Sequence, residues 1–269
     1  MNLQVNAGVH NPAVSRKESG DRIDYPPSAV PVPDVAKSTR RAPNLMSDEK
    51  QQEEKWLVHR RRMVEGQIRP RGVRDQRVLE AMMTVPRERF LPPSLREEAY
   101  EDRALPIRHG QTISQPFIVA YMTEHLAPMP NDRVLEIGTG TGYQTAILAL
   151  LCRHVYTIER IPELQAEASA ILADLNLTNI SMSTGDGSVG LSAHAPYHCI
   201  LVTAAAPQVP TPLVEQLVDD GRLVVPVGGE HEQTIVRVVR RGTRSIETPL
   251  LACRFVKLIG KAGWGPAPG

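Results

Sequence analysis

Short runs of apolar, β-branched residues alternate with helical periods through the second half of this sequence. Such alternation is typical of a parallel sheet whose strands are joined by helices. The apolar runs predict five strands, at residues 134–137, 154–158, 180–183, 199–202 and 223–227. Between them the spacing of apolar residues predicts helices at 143–151, 162–175 and 209–218. Pro162 suits the first position of its helix because no hydrogen bond is lost there.

Two further strand-like runs follow the fifth predicted strand, at 234–239 and 250–258, and a short polar segment at 240–248 joins them. Runs joined in this way are typical of an antiparallel pair at the edge of a sheet. The predicted fold class is therefore α/β, doubly wound, with a mostly parallel seven-stranded sheet, helices on both faces and an antiparallel C-terminal strand pair.

The first part of the chain has a different pattern. Residues 1–45 contain six prolines among polar residues and no apolar period, which predicts a disordered tail. Met46 is an alternative translation start, and helices are expected at 47–66 and from Asp75 to the residues before Pro86. We expect one domain at 46–269, with N-terminal helices in 46–130 and the sheet in 131–269.

Composition narrows the function classes. The 31 Lys and Arg residues nearly balance the 30 Asp and Glu residues, so no net field attracts nucleic acid or a membrane. The three cysteines lie far apart without a C-x-x-C pair, which argues against a metal site and fits the reducing cytoplasm. No apolar run approaches the roughly 20 residues of a membrane span. The expectation is a cytoplasmic protein without bound metal.

A glycine-rich loop follows the first predicted strand. The strand ends in Glu136 and runs into Gly138, Gly140 and Gly142, so the backbone can approach a ligand closely at the start of a helix. A dinucleotide fingerprint needs its third glycine one position later, where this chain has Tyr143. The form E-x-G-x-G-x-G resembles the first motif of class I S-adenosylmethionine-dependent methyltransferases, which favours that cofactor over NAD.

Acidic residues follow the next two strands. Glu159 can accept hydrogen bonds from both hydroxyls of a ribose, and Asp186 can meet an adenine amino group. Taken singly, Glu159 could instead be a helix-start charge and Asp186 part of an ordinary turn. Ligands bind at the carboxyl ends of strands in such sheets, so the three strand ends together favour one cofactor site. The residues expected to form it are Glu136, Gly138, Thr139, Gly140, Gly142, Glu159, Arg160, Gly185, Asp186 and Gly187.

The sequence at the end of the fourth predicted strand indicates which class of molecule accepts the methyl group. It reads Val-Thr-Ala-Ala-Ala-Pro at 202–207, which differs from the Asn/Asp-Pro-Pro-Tyr type of sequence in DNA amino-methyltransferases. The basic run at 59–62 lies on a predicted helix without interleaved aromatic residues, as on a solvated face. Both observations argue against nucleic acid as the substrate.

A segment before the glycine loop, Gly-Gln-Thr-Ile-Ser-Gln-Pro at 110–116, is distinctive. With it the chain resembles the protein-L-isoaspartate O-methyltransferase family over about residues 47–264. The other similar segments are M-x-x-x-Q-I-x-x-x-G-V-x-D at 63–75, Val-Pro-Arg-Glu-Arg-Phe at 85–90, Ala-Pro-Tyr at 195–197, Leu-Val-Thr-Ala-Ala at 201–205 and Gly-Arg-Leu-Val-Val-Pro-Val-Gly at 221–228. Two positions depart from the family pattern: His198, where Asp is usual, and Asp220, where Gly is common.

The resemblance implies methyl transfer from S-adenosylmethionine to the free α-carboxylate of L-isoaspartyl residues in damaged proteins, which starts their repair. It implies Ser114 as the active-site residue, although Ser114 could also cap the helix that begins near Pro116. The residues expected to contact substrate are Thr112, Ile113, Gln115, Thr203 and Ala204. A monomer is expected, because protruding peptide segments must enter the site. The alternatives are a carboxyl or small-molecule methyltransferase of the same fold, or a non-catalytic homologue that binds cofactor.

Overall fold

The computed structural model describes residues 45–265. This part of the chain contains a seven-stranded sheet. Ahead of it, β1 (Leu105–Pro106) and β2 (Thr112–Ile113) form a small antiparallel hairpin. The strands of the large sheet are β3 (Arg133–Ile137), β4 (His154–Glu159), β5 (Ile180–Thr184), β6 (Tyr197–Val202), β7 (Leu217–Gly228), β8 (Gln233–Arg241) and β9 (Arg244–Cys253). Their order across the sheet is β5-β4-β3-β6-β7-β8-β9.

The strand order reverses at β3. The chain goes from β3 to β4 and β5 on one side and then returns to place β6 against the other side of β3. The five strands from β5 to β7 are parallel, whereas β8 and β9 are antiparallel additions at one edge. This is the predicted fold class, and its switch point between β3 and β6 is where such sheets bind ligands.

Helices cover both faces of the sheet. They are α1 (Leu45–Met63), α2 (Gln76–Thr84), α3 (Pro116–Leu126), α4 (Tyr143–Ala149), α5 (Pro162–Asp174) and α6 (Thr211–Glu215). Successive strand residues point to opposite faces, so Val134 packs with α3 and α4, while Leu135 packs with α6. The second helix was expected to start at Asp75, and this residue is its N-cap, with a side chain that accepts a hydrogen bond from the Arg77 backbone.

Several predicted boundaries were wrong, among them the start of the fifth strand, which was predicted at residue 223 and lies at Leu217. The helix predicted at 209–218 is only the five residues of α6, because β7 begins at Leu217. The last strand was predicted at 250–258, but β9 starts at Arg244 and ends at Cys253. Its first half is a polar, exposed edge, and an exposed strand has no apolar alternation from which to predict it.

The two departures from the family pattern have visible structural settings. Asp220 has a φ of +63°, in the left-handed region that favours glycine, in the part of β7 where the register against β6 shifts. His198 accepts a hydrogen bond through Nδ1 from the backbone of Arg133 at 3.0 Å. Both residues lie away from the carboxyl ends of the parallel strands.

The predicted N-terminal tail lies outside the described residues, except for its last residue, Leu45. The first helix was predicted at 47–66, whereas α1 begins at Leu45 and continues past Met63 as a π-helical turn, Val64–Ile68. None of the helices within residues 45–265 is long and apolar enough to cross a membrane.

Candidate active site

The glycine loop lies at the switch point, directly after β3. Gly138, Gly140 and Gly142 all have positive φ values, of +92°, +54° and +90°. At Gly138 an added Cβ would lie 2.4 Å from Oγ1 of Thr203, the residue that follows β6. Thr203 in turn donates a hydrogen bond to the Gly138 carbonyl at 2.7 Å. The loop therefore needs glycine both for its backbone conformation and for its close contact with the next strand end.

Glu159 ends β4 and faces the glycine loop. Its Oε2 accepts a hydrogen bond from the Gly140 backbone at 3.0 Å, and its Oε1 accepts one from Ile161 at 3.0 Å. The side chain is 6% exposed. It lines a cavity at the carboxyl ends of the parallel strands, here called the main cavity. A carboxylate has about four acceptor positions, so two remain for a ligand. This is the placement that a ribose-binding carboxylate requires.

Glu136 lies beneath the loop and does not line the cavity. Its Oε2 accepts hydrogen bonds from the hydroxyls of Thr145 and Thr157 at 2.5 and 2.7 Å. Thr139 of the loop joins the same network through a 2.7 Å contact with Thr157. Burial raises the pKa of Glu136 to about 8. This predicted cofactor residue is therefore placed to support the loop from below.

Asp186 contacts the C-terminal segment of the chain. Its carboxylate accepts hydrogen bonds from the Ser188 backbone at 2.9 Å, the Ser188 hydroxyl at 2.6 Å and the Lys261 backbone at 2.8 Å. The hydroxyl of Ser188 also accepts a hydrogen bond from Ala262 at 2.9 Å. Three acceptor positions of Asp186 are thus used within the protein, which leaves about one for an adenine amino group.

The main cavity has a volume of about 360 Å³ and opens at the carboxyl ends of β3, β4 and β6. That volume lies within the about 300–1,000 Å³ typical of small-molecule sites. The predicted cofactor residues in its lining are Gly138, Gly140, Glu159, Arg160 and Gly187. The glycine cradle, the available carboxylate oxygens and the volume together fit a nucleoside ligand such as S-adenosylmethionine.

Ser114 lies in a second, smaller cavity of about 50 Å³ that adjoins the first. The two cavities share Thr112, Gly138, Gly140 and Thr203 in their linings. The helix-capping alternative for Ser114 was wrong, because the N-cap of α3 is Gln115. The side chain of Gln115 donates to the Asp102 carboxylate at 2.8 Å instead of facing either cavity.

The other predicted residues divide between the cavities and the surrounding structure. Ala204 lines the main cavity, and Thr139 and Ile113 line the smaller one. Gly142, Gly185 and Asp186 belong to neither lining, and Gly142 instead packs close to Ala168 and Leu172 of α5.

Sequence reasoning missed the side of the main cavity opposite the strand ends. Gly110 and Gln111 line it from the β1–β2 hairpin, and the segment 256–259 lines it from the C-terminal part of the chain. This segment runs beside the end of β6, where Ala205 and Lys257 form an isolated parallel bridge. Its only sequence signal is an apolar run that resembles one more strand.

A family model described as protein-L-isoaspartate(D-aspartate) O-methyltransferase matches residues 59–263. The chain belongs to this family. It is 57% identical over 205 residues to the protein-L-isoaspartate O-methyltransferase of Methanoregula boonei, covering 76% of this chain and 94% of that one. Its identity to the Geobacter metallireducens protein of the same name is 50% over 209 residues, covering 77% and 97% of the two chains. Family membership confirms the O-methyltransferase activity, the isoaspartyl specificity and the S-adenosylmethionine cofactor that the resemblance implies.

Solved structures agree with the fold. A protein-L-isoaspartate O-methyltransferase structure superposes with a TM-score of 0.68 at 28% identity, covering 76% of this chain and 67% of that one. A second structure, of a Plasmodium falciparum protein in complex with S-adenosyl-L-homocysteine, gives a TM-score of 0.66 at 24% identity. That alignment covers 75% of this chain and 98% of the other.

Proposed function

We propose that the two adjoining cavities divide the reaction between them, with the cofactor in the larger cavity and the acceptor carboxylate beside Ser114 in the smaller one. The observation that carries this proposal is their shared lining at Gly138 and Gly140. An acceptor held by Ser114 would meet a cofactor held by the glycine loop at that boundary. The acceptor is the free α-carboxylate of an L-isoaspartyl residue in a damaged protein.

Within the larger cavity, Glu159 would hold the ribose through its two remaining acceptor positions. Gly187 would complete the floor of this cavity, where its backbone packs directly on β3, because an added Cβ there would lie 2.5 Å from Cγ2 of Ile137. The Plasmodium falciparum relative that contains S-adenosyl-L-homocysteine supports a cofactor of this kind. S-adenosylmethionine supplies an electrophilic methyl group when it is bound.

The acceptor needs little chemical activation from the protein. An α-carboxyl group has a pKa near ~3.5, so it is ionised at neutral pH and requires no general base. His109 and His125 therefore have no acid or base role in the proposed mechanism. Ser114 can donate a hydrogen bond to one carboxylate oxygen and leave the other free to attack. Alignment of this kind can lower a barrier by on the order of 7–11 kcal/mol.

The compartment, oligomeric state and partners of the protein are also part of this proposal. We propose a cytoplasmic monomer that takes protein segments and no nucleic acid. The near balance of charge, at +1 net, supports the exclusion of nucleic acid. Cys152, Cys199 and Cys253 are all free, which supports a reducing compartment. Light scattering of the purified chain would test the monomer, because a dimer would double the measured mass.

The deciding assay uses paired peptides that differ only in an L-isoaspartyl or an ordinary aspartyl residue. With methyl-labelled S-adenosylmethionine, label should enter the isoaspartyl peptide alone, and volatile methanol should follow as the ester hydrolyses or closes to a succinimide. Equal labelling of both peptides would indicate a broader carboxyl methyltransferase. Absence of label from both, with cofactor bound, would indicate a non-catalytic homologue.

The variant Ser114→Ala tests the placement of the acceptor. We expect kcat for the isoaspartyl peptide to fall by about 10²-fold, as for loss of a single hydrogen-bond donor at a reacting oxygen. Cofactor affinity, measured by calorimetric titration, should stay within about threefold of wild type because Ser114 lies outside the larger cavity. The control is Ser192→Ala, at an exposed serine in the turn Ser192–His194. Normal turnover by Ser114→Ala would remove Ser114 from the mechanism.

A further inference from the structure

Arg87 is a fully buried arginine next to the proposed active site. Its side chain is 0% exposed and lies in the short helical turn Arg87–Phe90. Its Nε donates to the Ala99 carbonyl at 2.6 Å, and one terminal nitrogen donates to the Ser114 carbonyl at 2.8 Å. The other terminal nitrogen is buried without a hydrogen-bond partner among the described residues.

The charge of Arg87 has no counter-ion within residues 50–265. Two other arginines with little side-chain exposure do have one: Arg222 lies 3.0 Å from Asp132, and Arg60 lies 3.6 Å from Glu88. Burial lowers the pKa of Arg87 to about 10, which leaves it protonated at neutral pH. Burying an ion costs several kcal/mol, and neutral carbonyls offset less of that cost than a carboxylate would. A contribution to folding stability therefore does not explain why an arginine occupies this buried position.

Arg87 contacts both Ser114 and the start of α4. On one side it holds the main chain of Ser114, and on the other its guanidinium lies 4.8 Å from the centre of the Tyr143 ring. Tyr143 is the first residue of α4, directly after the last glycine of the loop. Ser114 and Tyr143 both line the smaller cavity. A planar guanidinium can make these contacts at once, because its donors are fixed in a fork and its face can stack on an aromatic ring.

We propose that Arg87 is a positioning residue for methyl transfer, which fixes the backbone of Ser114 relative to the start of α4 so that the serine hydroxyl meets the acceptor carboxylate. The inference rests on the role proposed above for Ser114. Arg87 acts through Ser114 and touches neither substrate nor cofactor. A displacement of about 1 Å in such a group can reduce the rate by about 10²-fold.

A double-mutant cycle tests this role. The variants are Arg87→Met, which removes the charge and both hydrogen bonds, Ser114→Ala and the double variant. Arg87→Lys keeps the charge but lacks the planar fork, and it replaces Arg87→Met in the cycle if the latter does not fold. The control is Arg222→Met, which removes a partly buried arginine from the hydrogen bond to Asp132. Each protein is assayed for kcat with the isoaspartyl peptide, for cofactor affinity and for melting temperature.

We expect Arg87→Met to lower kcat by about 10²-fold, with cofactor affinity within about threefold of wild type. In the Ser114→Ala background the same change should lower kcat less than about twofold, because its route of action is already gone. Arg87→Lys should show an intermediate loss with the same lack of additivity. Arg222→Met should lower the melting temperature and leave kcat unchanged.

Three results would overturn the inference, and they have different meanings. A wild-type kcat in both Arg87→Met and Arg87→Lys, beside an impaired Ser114→Ala, removes Arg87 alone. Losses that multiply in the double variant show that Arg87 acts independently of Ser114. Normal turnover by Ser114→Ala instead contradicts the proposed function, and with it the route assigned to Arg87.

Discussion

The cofactor cavity has two sides that are built in different ways. Its floor consists of strand ends and the loops that follow them, at 137, 138, 140, 158–160, 187 and 203–204, and its wall consists of residues 110–112 and 256–259. Floor positions are fixed by the register of the parallel strands: Ile137 pairs with Ile158 on one side and with Val202 on the other. The wall has no such sheet beneath it.

Individual contacts hold the wall in place. The backbone of Ala205 donates to Val256 at 2.7 Å, and Leu258 donates back to Ala205 at 2.8 Å. Beyond that, the turn at Lys261 is tied to Asp186 as described above. Asp186, which precedes the floor residue Gly187, therefore anchors the end of the wall, and this explains why it has fewer acceptor positions left than Glu159. The sheet thus defines the cofactor site, and a few tertiary contacts close it.

Among changes in the floor, Gly138→Ala is expected to reduce cofactor affinity most. A positive φ costs a side-chain-bearing residue about 1–3 kcal/mol, and here the new Cβ would also lie 2.4 Å from Thr203. We expect cofactor affinity, measured by calorimetry, to fall by at least about 10²-fold. Gly72→Ala is the control, since its φ is +100° but no atom lies within 4 Å of an added Cβ. Equal cofactor binding by the two variants would contradict the importance of the close contact.

The ribose assignment is tested by Glu159→Gln, which removes the charge and keeps one acceptor oxygen, and so one of the two backbone hydrogen bonds. We expect cofactor affinity to fall by about tenfold, as for the loss of a charge-assisted hydrogen bond of about 1.5–3 kcal/mol. Glu163→Gln is the matched control, because Glu163 is an exposed residue in the first turn of α5. If Glu159→Gln bound as tightly as Glu163→Gln, Glu159 would not contact the ribose.

The floor could be predicted from sequence because each of its parts has a local signal. Apolar runs mark the strands, the positive-φ glycines mark the loop, and Glu159 follows its strand at the expected spacing. What the sequence could not distinguish is which acidic residue faces the ligand. Glu136 and Glu159 belong to adjacent strands and point to the same face of the sheet, since Glu136 pairs with Thr157. Only Glu159 lines the cavity, because it lies two positions further towards the carboxyl ends of the strands, whereas Glu136 is buried beneath the loop.

The wall could be predicted only in part. The block at 110–116 was found through its resemblance to the family, whereas the segment 256–259 was interpreted as the end of a strand. That segment does run beside Ala205, but through an isolated bridge outside β9. Similarly, nothing local indicates that Arg87 contacts the Ser114 carbonyl 27 residues away. Such contacts follow from tertiary packing, which hydrophobic periodicity does not record.

Beneath the floor, Glu136 predicts a pH dependence of stability. Its pKa is raised from 4.5 to about 8 by burial, so the folded state binds this proton more tightly than the unfolded state does. The contribution of Glu136 to stability should therefore be greatest below about pH 4.5 and fall as the pH rises towards 8, by up to about 1.4 kcal/mol per pH unit. In urea unfolding from pH 5 to 8, Glu136→Gln should remove this decline, and Glu163→Gln should retain it. Parallel pH profiles for wild type and Glu136→Gln would show that burial does not favour the neutral acid.

The smallest effect is expected at the wall, from Lys257→Met. Lys257 pairs with Glu230 at 2.6 Å, but both side chains are about half exposed, at 42% and 56%. An exposed pair contributes at most about 1 kcal/mol, and backbone hydrogen bonds already hold this segment to Ala205. We expect cofactor affinity within about threefold of wild type, a slightly lower melting temperature, and a difference that shrinks as salt is added. Glu230→Gln should reproduce this result. A tenfold loss of affinity in Lys257→Met alone would instead mean that the ammonium contacts the ligand, and the wall would then share the recognition that is assigned to the floor.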